Sequence, residues 1–285
     1  MSNRGWAVAV AAVLMGAAAL VPANAQDKLP PLRTGVDGTF APHAFPKLGG
    51  GIQGFNVDLF TEVAKRMHRD ITIDSVSFST LIPGMESGRY DFIAAPTTVT
   101  KERAEKMLFT AGYIWTAYQF GIKKGSVPIK GWEDLKGKAV AVNKGTPYET
   151  LSKKMGQEIG FEVQAYDTQP DATQAVLSGR AYATLGGNTT IVYTASKSPM
   201  FVADLELKDT RAHWAAPTPK TNPKLRAQLQ DALDCMKKDG SLVKLSEKWF
   251  GRVPPPDALE RTITPGYGVP GMPGYDPTPH ELHCG

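Results

Sequence analysis

An arginine on the first turn of a helix needs a reason, because the free N–H groups there already present a partial positive charge. Arg103 holds such a place, just after Thr98-Val99-Thr100. Its planar fork can grip a carboxylate through two parallel hydrogen bonds. A second helix start, Lys144-Gly145-Thr146, offers backbone N–H groups of the kind that bind anions. Two helix starts and one guanidinium therefore imply a site for a small negative group. The plain alternative is a surface Arg on an ordinary first turn. Other chemistry is thinly represented. No Ser-His-Asp or Cys-His arrangement is apparent, and no His/Cys spacing suits a metal. No catalytic residue, metal ligand or cofactor is assigned. His43, in an early loop, and Glu102, beside Arg103, are the two titratable extras. They read as a solvated loop histidine and an acid complementing the helix dipole.

The elements that must position these groups alternate short apolar runs with amphipathic helical patterns, which predicts an α/β fold with largely parallel sheets. Strands are expected at 32–36, 71–76 and 92–95, with helices at 56–66, 81–86 and from Thr100 onward. A second series begins near Lys138. It has strands at 139–142, 162–166 and 182–185, with helices opening at Thr146 and spanning 172–177. Thr146, Pro147 and Glu149 form a capping box with Pro at the first helical position. Ser-Gly-Arg closes a helix before a strand at 87–89 and again at 178–180, which favours two similar lobes. Longer helical patterns cover 222–237 and 242–250.

Four segments of the first half carry a family likeness: Asp37-Gly38-Thr39-Phe40-Ala41-Pro42, Gly54-Phe55-Asn56-Val57-Asp58-Leu59, the run from Leu81 through Asp91, and Thr98 through Ala104. Asp239-Gly240-Ser241-Leu242 and Lys248-Trp249-Phe250-Gly251 extend it. In order and spacing, residues 30 to 251 resemble the family 3 periplasmic solute-binding proteins of ABC importers, best known for polar amino acids. The resemblance implies a two-lobed type II binding fold whose two sheets are joined by two hinge strands. Lobe 1 would be 27–118 plus 216–251 and lobe 2 would be 123–212, with crossings near 118–122 and 211–216. It also implies a membrane permease as partner, a monomer, and ligand bound between the lobes.

By the same resemblance Arg103 would hold the ligand's carboxylate. Phe40 and Phe78 would sandwich its side chain. Thr97, Thr98 and Pro96 would form one wall, and Gly145 and Thr146 would add backbone N–H groups from lobe 2. Three departures stand out. Amino-acid binders of the family place an acid after the strand that here runs into Gly186-Gly187-Asn188. Asp37, or the neutral acceptor Asn188, would have to replace it, because a buried ammonium without a partner is costly. Pro96 and Pro147 also remove two backbone donors. An amino acid, an organic acid, an amide or an aromatic compound all remain open as ligands.

The N-terminus adds a location. Arg4, an apolar run of about 15 residues and Pro22-Ala23-Asn24-Ala25 have the three parts of a secretory signal peptide cleaved after Ala25. A periplasmic protein is expected. Lys+Arg is 32 and Asp+Glu is 28; that mild excess is interspersed, so a nucleic-acid partner is unsupported. The two cysteines, Cys235 and Cys284, either pair in an oxidising compartment or stay as a buried residue and a free tail thiol. Beyond Gly251 a Pro/Gly-rich tail at 254–285 has too little periodic apolar content to pack as a domain. Two other functions compete with transport. A periplasmic enzyme resembling cyclohexadienyl dehydratases would use His43 or Glu102. A sensing or accessory subunit would use the tail with Tyr267, Tyr275, His280 and His283.

Overall fold

The computed structural model describes Met1 and residues 29–284. The expected leader and its cleavage site, within 2–28, lie outside the described residues. Among the described residues no helix is long and apolar enough to cross a membrane.

The first lobe starts with Leu32–Val36, paired parallel to Ile71–Ser75. The helix Phe55–Arg66 covers this pair and buries Phe55, Leu59, Phe60 and Val63. That spacing repeats every three to four residues and puts the rings on one face. Each such side chain contributes roughly 1.5–3 kcal/mol when fully buried. The helix Pro223–Lys238 returns late in the chain and adds Leu225, Leu229, Leu233 and Met236 to the same core. The expected strand at 92–95 is not a regular ladder. Asp91 and Ala94 donate to Arg33 and Gly35 carbonyls, but the Thr34 hydroxyl intervenes. It donates to Phe92 O at 2.8 Å and accepts from Ala94 N at 2.9 Å. The segment still lies beside the first strand and delivers Pro96 and Thr98 to the edge of the lobe.

The second lobe is built on a six-stranded sheet. Its order is Thr97–Thr98, Phe201–Ala215, Ile114–Lys123, Ala183–Gly187, Ala139–Asn143 and Glu162–Tyr166. The last three pair in parallel, as their crossover helices require. The first three pair antiparallel. The parallel expectation thus holds for half of this sheet. The antiparallel half consists largely of two long strands that pass from one core to the other. Ile114 and Trp214 belong to the first core, whereas Tyr118, Phe120 and Leu207 belong to the second. The register slips between Leu207 and Ala212. There Thr210 Oγ1 accepts a bond from Tyr118 N and donates one to Leu207 O. The bulge marks where the chain changes lobes.

The tail builds no core of its own. It packs on the first lobe, with Ala258, Leu259 and Val269 buried. Gln230 bonds Gly266 O at 2.7 Å and Gly268 N at 2.8 Å. Tyr267 stacks on His280 at 4.0 Å, and His280 approaches Asp231 at 3.2 Å. Cys235 and Cys284 form a disulfide, which settles the two cysteine readings in favour of pairing. Periodicity missed this because polar side chains of the 223–238 helix, rather than an apolar stripe, satisfy the tail backbone.

Candidate functional site

Between the lobes lies a small, largely enclosed cavity. From lobe 1 come Asp37, Phe40, Phe78, Ala95, Pro96, Thr98 and Arg103. From lobe 2 come Asn143, Thr146, Pro147 and Tyr148. Both sets lie at strand ends or helix starts, where ligands sit in α/β sheets.

Arg103 is the third residue of the helix Lys101–Lys106, whose cap Thr100 accepts from Arg103 N. A helix this short adds little dipole, so the guanidinium is the main positive feature. It donates to Thr98 O at 3.1 Å and across the lobes to Gly145 O at 3.2 Å. It also lies over the Phe78 ring, 5.5 Å from its centre. Among the described residues no carboxylate forms an ion pair with it. Burial lowers its pKa, and the nearby Tyr118, Tyr148 and Glu102 oppose this. A desolvated cation without a counter-ion is what an anionic ligand would satisfy.

Asp37 is 3% exposed. Its Oδ1 accepts from Thr39 N and Oγ1 at 3.0 and 2.6 Å, while its Oδ2 has no hydrogen-bond partner among the described residues. Burial raises its pKa, against the pull of the Thr39 hydroxyl and N–H. Phe40 stands edge-on to Trp214 at 6.3 Å. Thr98 Oγ1 accepts from Trp214 Nε1 at 3.0 Å. Thr146 caps the helix Pro147–Ile159, accepting from Glu149 N and donating to Asn143 O.

Three expected site residues fall elsewhere. The Thr97 hydroxyl is turned back onto Ala95 O at 2.9 Å. Gly145 lines the outer mouth rather than this cavity, and its N–H is taken by Glu149 Oε2 at 2.7 Å. The acid of the capping box thus uses the donor that was expected for a ligand. Asn188 lines a separate surface depression with Trp249 and Arg252. Its amide is held between Glu206 and Thr189 N.

His43 is the other correction. It is fully buried, not solvated. Its Nδ1 meets Asn56 Oδ1 at 3.0 Å and its Nε2 meets Thr189 Oγ1 of lobe 2 at 2.8 Å. Burial among Phe40, Phe55, Trp214 and Phe250 pushes its pKa down to about 3. Glu102 is exposed and paired with Lys106, as a first-turn acid should be. Asn143 and Tyr148 were missed in the sequence. Asn143 ends the strand 139–143, a position that points at the cleft. Tyr148 sits two residues after the Thr146 cap and is buried, its ring edge-on to Tyr118 at 4.8 Å.

The family model for bacterial extracellular solute-binding proteins, family 3, matches residues 32–252. The chain is 32% identical over 246 residues to PatH of Vibrio harveyi, whose name places it among amino-acid ABC transporter-binding proteins. That match covers 86% of this chain and 96% of that protein. It is 31% identical over 221 residues to the L-cystine-binding protein TcyJ of Escherichia coli (strain K12), covering 77% of this chain and 82% of that one. Among solved structures, an ancestral arginine-binding protein bound to arginine is similar with a TM-score of 0.74 and 32% identity. It covers 77% of this chain and 98% of its own.

Proposed function

Because the chain belongs to the bacterial extracellular solute-binding proteins of family 3, we propose that it is the receptor of an ABC importer. In this reading it closes two lobes around a small carboxylate-bearing solute and hands it to a membrane permease. One observation carries this above the others: the Arg103 guanidinium lines an interlobe cavity without an anionic partner of its own among the described residues. Arg103, Thr98 and the Thr146 region would hold the carboxylate, and Phe40 and Phe78 would pack the rest of the ligand. The lobes are taken as 27–118 with 216–251, and as 123–212, moving about the two long strands. The tail 254–285 is assigned to lobe 1. The named relatives bind arginine or cystine, which supports an amino acid as the ligand class. Export to the periplasm with cleavage after Ala25, and a monomeric state, complete the reading.

The protein is a binding protein and not an enzyme, as its named relatives are. The two residues weighed for catalysis do not line the cavity. His43 is locked between Asn56 and Thr189, and Glu102 faces solvent. The residues weighed for a sensing partner, Tyr267 and His280, are occupied with one another in the tail.

A thermal-shift screen of the mature protein against amino acids, amides and organic acids tests the proposal, since tight binding raises apparent stability. Arg103→Ala should lose the shift for every carboxylate ligand. A shift that survives this change would remove Arg103 from the site.

A further inference from the structure

His43 is buried at the lobe boundary but does not line the ligand cavity. Nor does Thr189, its partner on lobe 2. The 2.8 Å bond between them is therefore made whichever solute lies between the lobes.

The direction of that bond follows from the groups behind it. Asn56 Nδ2 lies 2.6 Å from Ala94 O and 2.8 Å from Tyr113 Oη. A carbonyl oxygen only accepts, so the amide nitrogen must face Ala94 and the amide oxygen is left for His43. With its pKa near 3, the His43 ring is neutral at pH 7. Its Nδ1, 3.0 Å from Asn56 Oδ1, must then carry the one ring proton. Nε2 is left as a bare acceptor, and the Thr189 hydroxyl donates to it.

Both ends of the bond are held in place. His43 O accepts from Asn56 N at 2.9 Å. Gly54 leaves no room for a side chain, since a Cβ there would run into His43 O. Phe40, Phe55 and Trp214 pack around the ring. Thr189 stands on the first turn of the helix Asn188–Lys197, with its N–H tied to Asn188 Oδ1 at 2.9 Å. Closing the lobes thus joins two groups that are already ordered, and little side-chain entropy is lost.

We propose that His43 and Thr189 form a latch that draws the lobes together independently of the solute. Parting the lobes gives both groups to water, and closing them exchanges that water for one bond. Without the hydroxyl, closure would bury a bare acceptor instead, which is costly. The latch biases the open–closed equilibrium and so raises the apparent affinity for any solute that needs the closed form. It rests on the lobe closure proposed above, but not on what the solute is.

The test needs no solute. Dyes on Leu48→Cys and Val127→Cys, exposed positions of lobe 1 and lobe 2, report the interlobe distance by single-molecule energy transfer in the oxidised mature protein. The labelled parent should show a closed population. Thr189→Val, which matches Thr in shape and removes the donor, should lower the closed-to-open ratio about fivefold or more. Thr189→Ser, which keeps the hydroxyl, should retain most of the parent ratio. An unchanged ratio in Thr189→Val would overturn the latch. So would Thr189→Ser as open as Thr189→Val, or a parent with no closed population; thermal shifts with solutes would still stand in each case. A distance that stays fixed in the parent and in Thr189→Val alike, even with a solute that raises the melting temperature, would overturn lobe closure itself and the latch with it.

Discussion

Acidification should act on this fold through His43. Its folded pKa is about 3 against an ordinary value near 6.5, and burial is the main cause. Between those values the unfolded chain binds a proton that the folded one refuses, so stability falls as pH drops through that window. The loss is at most about 1.4 kcal/mol per pH unit. Among the described residues the ring's neighbours are Phe40, Phe55, Trp214, Phe250, Asn56 and Thr189, none of them charged. His213, pushed down to about 4 by burial and by Lys237 and Arg211, adds with the same sign. Asp37, raised by burial, acts with the opposite sign, just above the ordinary carboxylate value. Melting curves from pH 7 to 5 should show a slope that shrinks in His43→Gln; an unchanged slope would assign the effect elsewhere. Gly145 supports a second prediction. It has φ +77°, and a Cβ there would meet Ser79 Cα at 3.0 Å across the lobes. Gly145→Ala should weaken ligand binding about tenfold, and adding Ser79→Gly should recover part of it. Calorimetry on the two proteins decides this. The place of Arg103 on the interlobe cavity was legible because a cation on a first helical turn is out of place. His43 was not, since its partner Thr189 lies 146 positions away.

At the scale of elements, the helices were read well because caps and apolar spacing are local. Thr146 caps where expected, the 222–237 pattern is the helix Pro223–Lys238 with Asn222 as its cap, and Gly240 separates the last two helices. The capping box was legible too, but not its reach. Glu149 took the N–H of Gly145 rather than that of the cap itself, a choice set by backbone geometry. The 92–95 segment lost its ladder to one hydroxyl, Thr34, a non-local competitor that β-propensity does not register. The way the tail docks was not legible, and it can be tested as an element. Its disulfide closes a separation of 49 residues onto the 223–238 helix. Cys284→Ser should lower stability by up to about 4 kcal/mol in the chain-entropy estimate. Chemical denaturation measures that loss. Ligand affinity should hold, because neither cysteine lines the cavity. A matching loss of affinity would mean that the tail shapes the site.

For the whole molecule, the two-lobed plan was legible from the repeated helix-to-strand steps and from a family likeness spanning most of the chain. The mixed character of the second sheet was not. Two strands long enough to serve both cores must run antiparallel to one another, and their length was hidden by polar residues such as Glu206 and Lys208. The lobes meet at several points: Arg103 with Gly145, His43 with Thr189, and Gly145 against Ser79. Closure therefore does not depend on the ligand alone.

The first core also draws on distant stretches of chain: Leu32 to Ile114, then Trp214 to Leu242, and finally Val269. The second lobe is uninterrupted between them. A polypeptide emerging N-terminus first thus completes its middle before its beginning. The opening strand and the Phe55–Arg66 helix must wait, greasy faces uncovered, for partners made more than 150 residues later.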